Sequence, residues 1–218
     1  MTTADIRETI ELAKLHEQHH HYLYTIFEQQ VVDNLHTAIR LPDDNPAQCL
    51  VDFIITYISH VPDFIDATRA ITQAANIEEY ADPVLQLAED YFLKPPEIMN
   101  GHIGLEELMD EAYLAHRLME EVNDRYMIQT SIPLIPMDMA MSNIIVHNLI
   151  GEPFANELDT AVHRTVERTI AREHVYDSPE FKTYISLHKN NHWEKEIENW
   201  ACLTDQLAIN LQLGSHDA

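Results

Sequence analysis

Apolar residues recur every three or four positions along most of the chain, the spacing of a single helix face. In residues 1–41 the stripe is Ile6, Ile10, Ala13, Leu23, Phe27, Val31 and Ala38. Residues 105–132 repeat it with Leu105, Leu108, Ala112, Ala115, Met119 and Val122. Residues 180–213 do so with Phe181, Ile185, Ile197, Trp200, Leu203, Leu207 and Leu211. Segments 45–75 and 137–150 are apolar on most sides, which suits central, buried helices.

Helix-breaking residues frame these stretches. Neither proline nor glycine occurs in 1–41, 105–132, 154–178 or 180–213, and shorter clear pieces run 47–61, 63–82, 84–94 and 137–150. Asp5 reads as the cap of the first helix, with Glu8 completing a capping box. Pro42 with Asp43 and Asp44 reads as its closing loop. Ser178 before Pro179 marks another start. Pro62 is expected to kink or end the helix that begins near Pro46. Long connections are expected at 95–104 and 128–136. The fold class is therefore all-α: one domain over 1–218, an antiparallel bundle of about six to seven helices with long N- and C-terminal helices.

Composition removes several kinds of function. There are 4 glycines against 10 prolines, and Gly101 and Gly104 form the only close pair. Phosphate-cradling loops and dinucleotide folds need more glycine than that, so no nucleotide cofactor is expected. The net charge of −24 repels nucleic acid and anionic membrane alike. It suits a basic protein partner, or simply a well-solvated surface. Cys49 and Cys202 are isolated thiols, the N-terminus lacks a signal-peptide pattern, and no apolar run is long enough to span a bilayer. The cytoplasm is the expected location, and a homodimer is compatible with the sequence.

Histidine is the anomaly, with 14 in 218 residues. Four of them, His16, His19, His20 and His21, fall within Leu12–Gln29. His16, Glu17 and His20 fill the gap between Ala13 and Leu23 in the first stripe, with Tyr24 one turn on. His116 and Glu120 interrupt the 105–132 stripe, and His188, His192 and Glu196 interrupt the last one. A Glu and a His three or four apart on a helix project to one side and can share a metal ion.

A buried carboxylate needs a partner, and only 13 Lys and Arg face 37 Asp and Glu. A divalent cation held by Glu17, His20, His16, His116, Glu120, His188, His192 and Glu196 would meet that need. Iron is the first expectation, with manganese or zinc next, because paired cysteines are absent. Tyr24, His60, His147 and Tyr113 would stand behind the ligands or line a pocket. His60 and His147 read equally as satisfied core histidines, and His163 with Glu167 reads as a solvated pair. His19, His21, His36 and His102 read as surface residues.

In motif type, Glu17-x-x-His20 resembles half of a ferritin-like di-iron site. His116-x3-Glu120 and His188-x3-His192 resemble the middle elements of a hemerythrin-like site. The second Glu-x-x-His of the former and the closing His-x4-Asp of the latter are absent, so the chain is assigned to neither family. The functional expectation is a metal-binding helical bundle, read as an oxygen-dependent oxidoreductase acting on a small apolar substrate. Helices 47–61 and 137–150, with Met137, Met139 and Met141, would wall its pocket. An acidic interaction protein that binds a basic partner is the alternative. A haem- or small-molecule-binding bundle with His16 or His20 as axial ligand comes third.

Overall fold

The computed structural model describes residues 2–75, 78–94, 104–131, 133, 139–169, 179–188 and 209–211. These residues form a helical bundle. Its elements are α1 (Thr3–His20), α2 (Tyr22–Ile26), α3 (Pro46–Ala75), α4 (Glu78–Leu93), α5 (Leu105–Thr130), α6 (Ala140–Ile150), α7 (Phe154–Thr169) and α8 (Pro179–His188). Two short strands, β1 (Ile39–Arg40) and β2 (Asn210–Leu211), pair antiparallel. No helix among the described residues is long and apolar enough to cross a membrane.

The N-terminal segment is not one continuous helix. Thr2 rather than Asp5 caps it: the Thr2 N–H donates to the Asp5 carboxylate at 2.8 Å. The helix then stops at His21, which turns into the left-handed region at φ 50°, ψ 39°. Glu17 acts on both sides of that break. Its carbonyl accepts the His21 N–H at 2.8 Å, closing α1. Its carboxylate accepts the N–H groups of Leu23 and Tyr24, each at 2.9 Å, opening α2. The first N–H groups of a helix have no partner within it, so an acceptor there stabilises a restart. Beyond α2 the backbone widens into a π turn (Phe27–Val31), tightens into a 3-10 turn (Val32–Asn34) and extends as β1.

The C-terminal expectation also changes. Pro179 does open a helix, but Leu211, read as a helical stripe position, lies in β2 opposite Ile39. Strand pairing between residues so far apart in the chain leaves no local periodicity to read. The two internal prolines do not end their helices: α3 runs through Pro62 and α4 through Pro83. An internal proline costs about 3 kcal/mol. Val61, Phe64 and Ile65 beside Pro62 are fully buried, and each such side chain returns about 1.5–3 kcal/mol.

The centre of the bundle is α5, which touches α1, α3, α4, α6 and α7. Leu108, Ala112, Tyr113, Leu114, Ala115, Leu118 and Met119 are all buried, so the helix is covered on every side. α3 packs along it through Phe53, Ile54, Tyr57, Ile58, Val61 and Phe64. Ion pairs tie the flanks together. Arg7 of α1 reaches Asp63 and Asp66 of α3 at 2.8 and 2.9 Å, and Arg69 of α3 reaches the buried Glu89 of α4 at 2.9 Å.

Glu17→Ala should lower unfolding free energy by about 2 kcal/mol in urea titrations, since two backbone N–H groups lose a charged acceptor. His21→Gly should raise it by up to about 1 kcal/mol, because glycine takes a positive φ without strain. Equal, small effects from both substitutions would contradict this account of the break.

Candidate functional site

Among the described residues, those nominated as metal ligands do not converge on one point. Glu17 is buried, at 6% exposure, but both carboxylate oxygens are occupied by the α2 N–H groups. His16 is half-buried and His20 exposed, with ring centroids 4.5 Å apart. His16 lies against the start of α5: a Cβ at Gly104 (φ 64°) would stand 3.2 Å from its Nδ1. His116 is fully buried and its Nε2–H donates to the Tyr57 carbonyl at 2.9 Å. Glu120 is held by Arg117 and by Asn143 Nδ2. Tyr24 donates to Glu28 at 3.1 Å and to Asn45 at 3.3 Å, and His60 is half-buried on α3. Among the described residues no three His, Cys, Asp or Glu side chains are grouped to hold a metal ion. His192 and Glu196 lie outside the described residues, as does the side chain of His188.

Glu120, Tyr113 and His147 do meet. With Arg117, Ala140, Asn143, Ile144 and Asp159 they line a pocket of about 320 Å³ between α5, α6 and α7. Arg117 is its keystone, 28% exposed. Its Nε donates to Asp159 Oδ1 at 2.9 Å and its Nη1 to Glu120 Oε2. Burial works against the guanidinium charge, yet the hydrogen bond to Asp159 and the charge of Glu120 outweigh it and hold the Arg117 pKa above its usual value. Tyr113 donates to the same Asp159 oxygen at 3.0 Å, and burial together with that carboxylate raises its phenol pKa. His147 stands edge-on to the Tyr113 ring, its Nε2 at 3.2 Å from Asn156 Oδ1 and 3.7 Å from Asp159 Oδ2.

Behind the pocket the network continues into the core. Asn143 gives Nδ2 to Glu120 at 2.7 Å and accepts the Tyr57 hydroxyl on Oδ1 at 2.7 Å. Tyr57 is wholly buried, with a phenol pKa raised well above its usual value by burial and then by Tyr113 and Glu120. His116 then bonds the Tyr57 backbone carbonyl. The polar wall is thus fixed in place by groups that water does not reach.

A larger groove of about 410 Å³ between α1 and α3 is lined by Lys14, Glu17, Gln18, His21, Gln48, Val51, Asp52 and Ile55. Gln18, His21 and Asp52 are exposed, and Glu17 is already satisfied. No buried network stands behind it among the described residues. The smaller pocket is the better-formed site.

Arg117, Asn143 and Asp159 carry that pocket without having been nominated from sequence. The available signal was Arg117 three residues before Glu120 on one helix, an ordinary ion-pair spacing. Asp159 joins it only through the packing of α7 on α5. His163 and Glu167 do form an exposed pair, 3.2 Å apart, and Met139 is buried as core. Comparison of the chain with protein-family models, with curated proteins and with solved structures returned no significant match.

Two buried ionisable groups on α5 set a pH window. Glu111 is 2% exposed and its Oε2 has no hydrogen-bond partner among the described residues. Burial, with Glu107 and Asp110 nearby, pushes its pKa from 4.5 up to about 9. Between those values the unfolded chain has lost a proton that the folded chain keeps, so stability falls as pH rises. Burial pushes His116 from 6.5 down to about 3 against the pull of the Tyr57 carbonyl, so stability falls as pH drops through that range. Each slope is about 1.4 kcal/mol per pH unit, and they cancel where they overlap. Urea midpoints followed against pH should flatten on the alkaline side in Glu111→Gln and on the acid side in His116→Gln. Arg117→Met should cost about 2 kcal/mol, since it leaves Glu120 and Asp159 facing each other without a cation. A neutral effect there would show that the clamp is not structural.

Proposed function

We propose that the chain is a small-molecule-binding helical protein whose ligand sits in the pocket between α5, α6 and α7. The observation that supports this most directly is the backing of the pocket wall. Glu120, Asn143, Tyr57 and His116 run from the surface into the core, through hydrogen bonds of 2.7–2.9 Å from Asn143 inward. A wall fixed in advance loses little conformational freedom when a ligand arrives. Burying that many polar groups costs stability that an apolar core would not, and a binding role accounts for keeping them. The volume of about 320 Å³ suits a compact ligand rather than haem.

A metal-dependent oxidoreductase is the second reading, favoured by one observation: His16 and His20 are one helical turn apart with rings 4.5 Å from each other. Two imidazoles in that arrangement chelate a transition metal weakly and leave its remaining positions to water. Glu17 does not join them, because its oxygens are engaged.

A fragment screen by ligand-observed NMR, repeated on Ala140→Trp, tests the binding reading. Ala140 lines the pocket and is exposed, so tryptophan there fills the cavity without entering the core. Hits should bind the parent chain and be lost from the variant. Hits that survive in Ala140→Trp, or that depend on added divalent metal and on His16 and His20, would overturn it.

A further inference from the structure

Three features outside the Arg117 clamp come to nothing more. The apolar side chains Leu12, Leu15 and Tyr22 are exposed on the outer side of the N-terminal segment, but nothing in the structure indicates what would cover them. The α1–α3 groove has its buried carboxylate already satisfied. The buried Glu111 opens onto neither pocket. The clamp goes further, because its hydrogen bonds can be counted oxygen by oxygen.

Asp159 Oδ1 accepts both Arg117 Nε–H and the Tyr113 hydroxyl, while among the described residues Asp159 Oδ2 meets only His147, at 3.7 Å. Glu120 Oε2 accepts both Arg117 Nη1–H and Asn143 Nδ2–H, while Glu120 Oε1 has no hydrogen bond within the described residues. Each carboxylate spends one oxygen on hydrogen bonds to the scaffold, and among the described residues its other oxygen accepts none. Two carboxylates also share one guanidinium, so these three groups together carry one net negative charge. The surrounding chain, at −24, strengthens that field.

The geometry points to a small organic cation, a primary ammonium or a guanidinium, as the ligand class of this pocket. Its N–H groups donate to Glu120 Oε1 and Asp159 Oδ2, and its short apolar body lies along Ala140 and Ile144. The inference rests on the pocket being a binding site and adds the charge of what binds. A bare divalent metal ion is disfavoured at the same place, since two carboxylate oxygens supply too few ligands and the Arg117 guanidinium repels a double charge twice as strongly as a single one. An anion would meet the unsatisfied acceptors and a repulsive field, and a neutral diol would forgo the charge-assisted hydrogen bonds.

A matched series separates these cases. Isothermal titration and NMR shift mapping on the full chain would use 1,4-diaminobutane and agmatine as cations, with 1,4-butanediol and succinate as the neutral and anionic counterparts. The cations should bind saturably at a single site that shifts α5, α6 and α7 resonances, and should weaken as salt is raised. Glu120→Gln and Asp159→Asn should each reduce their affinity about tenfold or more. Glu157→Gln, at an exposed carboxylate of α7 outside the pocket, should leave it unchanged. Circular dichroism and urea midpoints identify any variant that fails to fold, and for such a variant displacement of bound diamine by Ala140→Trp replaces it.

Binding of the diol or of succinate as tight as that of the diamine would overturn the cation class while leaving a small-molecule pocket intact. Absence of saturable binding by all four compounds, together with an empty fragment screen, would remove the pocket reading itself. Diamine binding equally weakened by Glu157→Gln would assign the effect to the general surface charge and overturn the proposal.

Discussion

A carboxylate withdrawn from water has to be paired with a donor or a cation, or remain protonated, and this chain has 13 Lys and Arg for 37 Asp and Glu. The bundle answers that constraint in several ways, as four cases show. Glu89 pairs with an arginine, Arg69, at 2.9 Å. Glu17 receives no cation, only the two N–H groups that open α2, and in doing so it breaks the N-terminal helix. Glu111 receives neither among the described residues and keeps its proton well above the usual carboxylate range. Glu120 and Asp159 share a single guanidinium.

The shared arginine is what makes the pocket different from the rest of the surface. One guanidinium cannot saturate two carboxylates, so acceptor capacity is left over at a place where the backbone is held by packing. Tyr113 and Asn143 reinforce the two occupied oxygens and so fix which oxygens stay free. α5 contributes Tyr113, Arg117 and Glu120 at spacings of four and three, which puts all three along one line of the helix. α6 and α7 close the other sides. The chemistry therefore depends on how three helices meet rather than on any one of them.

Much of the scaffold was legible in the residues alone. The period of an apolar stripe located α5, because a helix face that packs must repeat every three to four residues, while the proline- and glycine-free run 154–178 framed α7 and the all-round apolar character of 45–75 and 137–150 marked the burial of α3 and α6. Pro42 and Pro179 marked a loop and a helix start through the same backbone chemistry that acts in any chain. The prolines inside α3 and α4 do not end their helices, since local cost is outweighed by the burial of their neighbours. The break at His21 was invisible for a related reason: a Glu four residues upstream supplies the acceptors, and its apparent place on the apolar stripe looked like a ligand's.

What the sequence determined was the helical class, the excess of acid over base, and the burial of particular ionisable residues: Glu17 and His116 both lie where the stripes put them. What the tertiary structure alone decided was the partner of each. Periodicity tells which face of a helix turns inward, but a hydrogen bond depends on the distance to a second element, and Asp159 reaches Arg117 only because α7 packs on α5. Among the described residues the partners of Glu17, Glu120 and Asp159 lie within the chain itself, as backbone N–H groups for the first and one divided arginine for the other two.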